Sequence, residues 1–283
     1  MALGNIVHLE HVNVLIPDQR VATIFYVSGL GLTRDPFLMT GTDNMWINVG
    51  RSQFHMPTGR PQVVRGHVGL VLPDRAALLR RLAKVSQALA GTRFGFTERD
   101  RFVEAVSPWG NRIRCYEPAA EFGPIRLGMP YVEFTVPKGA APGIARFYRE
   151  LLETPVDMVE DKSGRAARVT VGQNQSFLFR ESDGELPAYD GHHVQIYIKD
   201  FAAAQTRLEK RGLVTELSNE HQFRFTDIVD LDTKQTLFVV EHEIRSTQNP
   251  LYARPLVNRN PDQTNMAYVP GADAMAWELA GAK

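Results

Sequence analysis

Cysteine is nearly absent: Cys115 is the only one in 283 residues, so no intrachain disulfide can form and the chain fits a reducing compartment. A charge excess is lacking too. Lys plus Arg and Asp plus Glu are both 32 and the formal net charge is +0, which leaves no basic footprint for nucleic acid or for an anionic membrane. No apolar run approaches the roughly 18 residues of a membrane-spanning helix. The N-terminal MALGNIVHLEHV has neither the basic stretch nor the long apolar run of a secretory leader. The expectation is a soluble cytoplasmic protein that takes a small-molecule ligand, with no nucleic-acid or membrane partner.

What the chain does have is a phrase written four times: LEHVNVLIPD ending at Asp18, RGHVGLVLPD at Asp74, MPYVEFTVPK at Lys138 and GHHVQIYIKD at Asp200. His11, His67 and His193 occupy the same place in three copies, and Tyr131 occupies it in the other. Repetition on this scale is an architectural signal. Apolar and polar residues alternate through each phrase, the period of a strand. A segment with helical spacing follows each one, such as VATIFYVSGLGL or GIARFYRELLETPV, and then come short strand-like runs. The unit is therefore βαβββ. Units begin about 60 residues apart, too close for independent domains, so they are expected to pair. Phe25-Tyr26 and Val49-Gly50 recur as Phe147-Tyr148 and Val171-Gly172. That recurrence points to a duplicated domain made of consecutive units, 1–125 and 126–248, with a boundary near Gly123 to Gly128.

From Asn249 the pattern stops, and the Pro- and Asn-rich segment 249–283 disfavours helix and inner strand. Leu251, Tyr252, Leu256 and Val257 argue for an extended arm packed on a domain or on a neighbouring subunit, which would make a homo-oligomer. A short helix is expected over 273–280.

The H-V-x-[LV] strand closing in P-D, the F-Y-x-x-x-L-G-L helix exit at Phe25 to Leu32 and the W-G-N-R-I-x-x-Y-E-P strand at Trp109 to Pro118 resemble the vicinal oxygen chelate superfamily of glyoxalases, extradiol dioxygenases and bleomycin-resistance proteins. The resemblance covers roughly residues 6 to 245. It implies an α+β fold of two tandem glyoxalase-like domains with curved sheets. It further implies a divalent metal (Fe, Zn, Ni or Mn) held by His11, His55 and His67 in the first domain. Arg114 stands where the family's fourth ligand, a glutamate, is expected, and arginine keeps its proton and cannot ligate. Arg114 instead reads either as the clamp of an anionic substrate or as the partner of Glu104 or Asp100. Asn13 and Tyr116 would line the substrate, and Glu104 is the nearest candidate for a general base. In the second domain Tyr131, Phe177, Tyr197 and Phe238 read as an aromatic lining. His193 stands alone there unless the register brings Glu133, His242 or Glu241 to it. Two functions follow from the resemblance: a metal-dependent glyoxalase- or dioxygenase-like enzyme acting on a small oxygen-rich substrate, or a metal-free protein that binds or sequesters a small molecule.

Overall fold

A computed structural model describes residues 3–38 and 41–281. Its elements run in four βαβββ repeats. The first holds β1 (Ile6–Asn13), a helical turn α1 (Gln19–Ala22) running on into Thr23–Gly29, β2 (Thr33–Arg34), β3 (Asn44–Val49) and β4 (Ser52–Pro57). The second holds β5 (Gly66–Val71), α2 (Arg75–Val85), β6 (Gly95–Glu98), β7 (Val103–Val106) and β8 (Arg112–Tyr116). The third holds β9 (Gly128–Pro137), α3 (Ala141–Leu151), β10 (Val156–Asp161), β11 (Gly164–Gly172) and β12 (Gln175–Ser182). The fourth holds β13 (His193–Ile198), α4 (Phe201–Glu209), β14 (Val214–Asn219), β15 (Gln222–Val229) and β16 (Thr236–Ser246).

The aspartate that closes the repeated phrase caps the following helix. Asp18 accepts from the backbone N–H groups of Arg20 and Val21, Asp74 from that of Ala77, and Asp200 from that of Ala203. A carboxylate there satisfies donors that the first turn leaves without an intrahelical acceptor. The copy ending in Lys138 has no such cap and starts its helix with proline at the first turn instead, where the missing N–H costs nothing.

The strands form two curved eight-stranded sheets, in the orders β14-β15-β16-β13-β1-β4-β3-β2 and β10-β11-β12-β9-β5-β8-β7-β6. In the second, third and fourth repeats the first strand lies parallel to the last, β5 with β8, β9 with β12 and β13 with β16. Its other edge is left to any neighbour, and nothing in the repeated phrase specifies which.

By internal contacts the chain divides into Met1–Val12 with Tyr131–Arg254, and Asn13–Pro130 with Pro255–Lys283. The core of the first unit is aromatic. Phe134 lies 5.7, 5.2 and 5.9 Å from the rings of Phe177, Phe179 and Phe238, and all four are buried. Phe177 and Phe238 therefore pack the core rather than line a ligand.

The second unit holds most of the C-terminal arm. Asn258 acts as a strand partner in miniature: its Nδ2 donates to Gly50 O at 2.8 Å and its Oδ1 accepts from Gly50 N at 3.0 Å. Gly50 has φ +68, and a Cβ there would stand 2.1 Å from Leu127 O, so no other residue fits. Arg126 N donates to Trp277 O, and the Arg51 guanidinium lies 4.8 Å over the Trp277 ring. The helix expected over 273–280 does not form. Its backbone groups go to bridges Arg259↔Ala274 and Ile125↔Glu278 instead. The arm is thus anchored on its own chain. Asn258→Ala should cost about 1–2 kcal/mol in urea unfolding, because both Gly50 groups lose their partner. A loss under a few tenths would show that the arm adds nothing there.

Candidate metal centre

Strand β13 alternates His193, Gln195 and Tyr197 on one face with Val194, Ile196 and Ile198 on the other. Its parallel register with β16 sets His193 beside Glu241, Gln195 beside Glu243 and Tyr197 beside Arg245. One face therefore carries six polar or charged side chains in a row. The opposite face belongs to the core, where Val194 and Ile196 lie beside His242 and Ile244.

His193 Nδ1 is 3.4 Å from Glu241 Oε1, and its Nε2 is 3.6 Å from Glu243 Oε2. Both carboxylates are backed by arginine. Arg224 of β15 bridges them, donating to Glu241 through Nη1 and to Glu243 through Nη2, the latter at 2.5 Å. Arg245 Nη2 is 2.6 Å from Glu243 Oε1. Glu243 is 3% exposed, and a carboxylate that deep needs such charge-assisted bonds. From β1, the His11 ring sits edge-on to His193, centroids 5.6 Å apart. His11 Nδ1 also meets the Glu10 carboxylate. Burial pushes the Glu10 carboxyl up, but His11, with Arg245 and His8, outweighs it and holds that group below the usual carboxylate range.

His55 of β4 is stacked on Trp46 with ring centroids 3.8 Å apart, and its Nε2 is 2.9 Å from Asn44 Oδ1. Within the unit of Met1–Val12 and Tyr131–Arg254, His11 and His193 each offer a ring nitrogen, and these atoms lie within 4.8 Å of each other with the Glu241 and Glu243 carboxylates beside His193. Imidazoles and carboxylates at that spacing suit a borderline divalent ion.

Of the three histidines expected in a metal site, His11 lies on β1, His55 on β4 and His67 on β5. Arg114 and Glu104 lie across from each other on β8 and β7, with Nε 3.3 Å from Oε2. The guanidinium also lies 5.0 Å over Phe102. Of the two readings of Arg114, the geometry supports pairing with Glu104. Tyr116 packs against Phe102 and Phe122 with centroids at 5.3 and 5.1 Å. Asn13, the last residue of β1, is buried. Glu133 pairs with Arg180 at 3.1 Å. His242 faces the core, where it meets the Tyr148 hydroxyl and stacks on Phe225 at 4.3 Å.

Sequence reasoning passed over Arg224, Arg245, Gln195 and Glu10. The available signal was the alternation Glu241, Glu243, Arg245 at the end of β16, which has the strand period and places all three on one face.

No family model matches the chain, and no curated protein matches it in sequence. Solved structures do. Glyoxalase I from Zea mays superposes with a TM-score of 0.57 at 12% identity, over 84% of this chain and 92% of that one. A Bacillus subtilis subsp. subtilis str. 168 chain named for a dioxygenase gives 0.56 at 14% identity over 86% of each chain. The cppA protein of Streptococcus pneumoniae TIGR4 gives 0.50 at 10% identity, over 86% of this chain and 99% of that one. The chain shares the fold of these solved structures. At these identities the likeness extends to the scaffold alone, and the chemistry must be argued from the side chains. No helix among the described residues is long and apolar enough to cross a membrane.

Proposed function

We propose that the protein is a divalent-metal-dependent enzyme of the glyoxalase or dioxygenase kind, with His11 and His193 holding the ion and a small oxygen-rich molecule as substrate. The approach of these two imidazoles beside the Glu241 and Glu243 carboxylates carries this reading. A bound divalent ion supplies Lewis acidity toward the substrate's oxygens, and supplies redox chemistry as well if it is iron. The chain's own residues do the rest. Arg224 and Arg245 hold the Glu241 and Glu243 side chains in place beside His193. Glu241, 26% exposed at its side chain, is the carboxylate placed to take up or return a proton there. Glu10 orients His11 through Nδ1, the outer-shell contact that sets the tautomer of a ligating histidine.

The test is elemental analysis of the purified protein and of two variants. Wild type should carry about one ion per chain. His193→Ala should bind it at least ~100-fold more weakly in chelator competition, while His67→Ala should match wild type. Loss of metal in His67→Ala, or none in wild type, would overturn the assignment. The arginine ties on both carboxylates favour one second reading, a metal-free binding protein that uses the same face. That reading requires a metal-free wild type whose stability chelator leaves unchanged.

A further inference from the structure

Gln195 is the anomaly of this face. Its residue is 0% exposed, and neither Oε1 nor Nε2 has a hydrogen-bond partner among the described residues. Leaving both ends of a carboxamide unmet inside a protein is costly, and such a group calls for an explanation. Packing alone gives none, because leucine or methionine would fill the same volume without that cost. The side chain points to the face of His193, two residues away on β13, and lies beside Glu243 on β16.

We infer that Gln195 is a substrate-positioning residue that takes an uncharged hydroxyl group of the ligand. The inference rests on the reading of this face as a binding site and names the chemistry it selects. A carboxamide offers one acceptor and two donors. A carboxylate or ketone oxygen only accepts, so it satisfies Nε2 and leaves Oε1 unmet. A hydroxyl donates and accepts, so it satisfies both ends. The local charge agrees. Glu10, Glu241 and Glu243 outnumber Arg224 and Arg245 around the site, so without an ion the face disfavours an anionic group at Gln195.

The experiment uses full-length chelator-treated protein, so that its outcome does not depend on whether a metal binds. Gln195→Met keeps the volume and removes the amide. With no ligand it should melt higher than wild type, because an unmet polar group has gone; a lower Tm would make Gln195 a structural residue and overturn the inference. Dihydroxyacetone, acetone and lactate are then titrated while the Gln195 side-chain amide signals are followed by NMR, assigned by their loss in Gln195→Met. Dihydroxyacetone should move them saturably and bind wild type at least tenfold tighter than Gln195→Met. Acetone, which lacks hydroxyls, and anionic lactate should bind at least tenfold more weakly. Equal binding of acetone, tighter binding of lactate, or no response to dihydroxyacetone would each sink the hydroxyl assignment. Metal content is measured separately, so failure here and failure of the metal centre are distinguishable.

Discussion

Acidification from pH 7 to pH 4 should strip stability from this protein through one buried imidazole, His242. Burial holds His242 neutral by pushing its pKa down to about 3, although the carbonyl of Val240 pulls the other way. In the unfolded chain the same ring takes up a proton near its ordinary value of about 6.5. Between these two values the unfolded state binds more protons than the folded one, so stability falls as the pH falls. The contribution is complete above about 6.5, declines through that window, and is lost by about pH 3, a total on the order of 4 kcal/mol. Urea unfolding at half-unit pH steps reads it directly. The double variant His242→Phe, Tyr148→Phe removes the ring and also the hydroxyl that would otherwise lose its partner. Its profile should be flatter than that of wild type between pH 4 and 6.5. Identical slopes would assign the acid sensitivity elsewhere.

The next largest effect is expected at Arg224→Met, which should cost about 3 kcal/mol at neutral pH. Arg224 is the only one of the two arginines that touches both Glu241 and Glu243. Glu243 is almost wholly buried, and with Arg224 gone one guanidinium is left to compensate it. Breaking a buried pair costs more than the pair is worth, because the surviving charge stays out of water. The companion change Arg224→Met, Glu243→Gln should recover part of the loss by removing that charge. If Arg224→Met unfolds within half a kcal/mol of wild type, the carboxylates do not depend on it.

The scaffold was largely legible in the amino-acid order. The repeated phrase marks β1, β5, β9 and β13, and its closing aspartate marks three helix starts, because a capping carboxylate and a strand period are local properties. The polar face was less legible, because it is built from the register of β13 on β16, which neither strand shows alone. The aromatic positions of the third repeat made the second half look unable to chelate. They belong to a core, while the fourth repeat carries the polar face. The arm shows the same limit at smaller scale. Its composition excluded an inner strand, but its attachment through Asn258 depends on a backbone turn at Gly50 far away in sequence.

The neighbourhood of β1 and β13 also sets a timetable. β1 is made well before β13, so it waits through the synthesis of every strand between them with that edge unmet. Pairings this distant in sequence are slow to close, and an open edge in the interval is an invitation to wrong partners. His11 and His193 therefore meet only once β13 has been made, and no nascent chain that stops short of it can hold an ion between them.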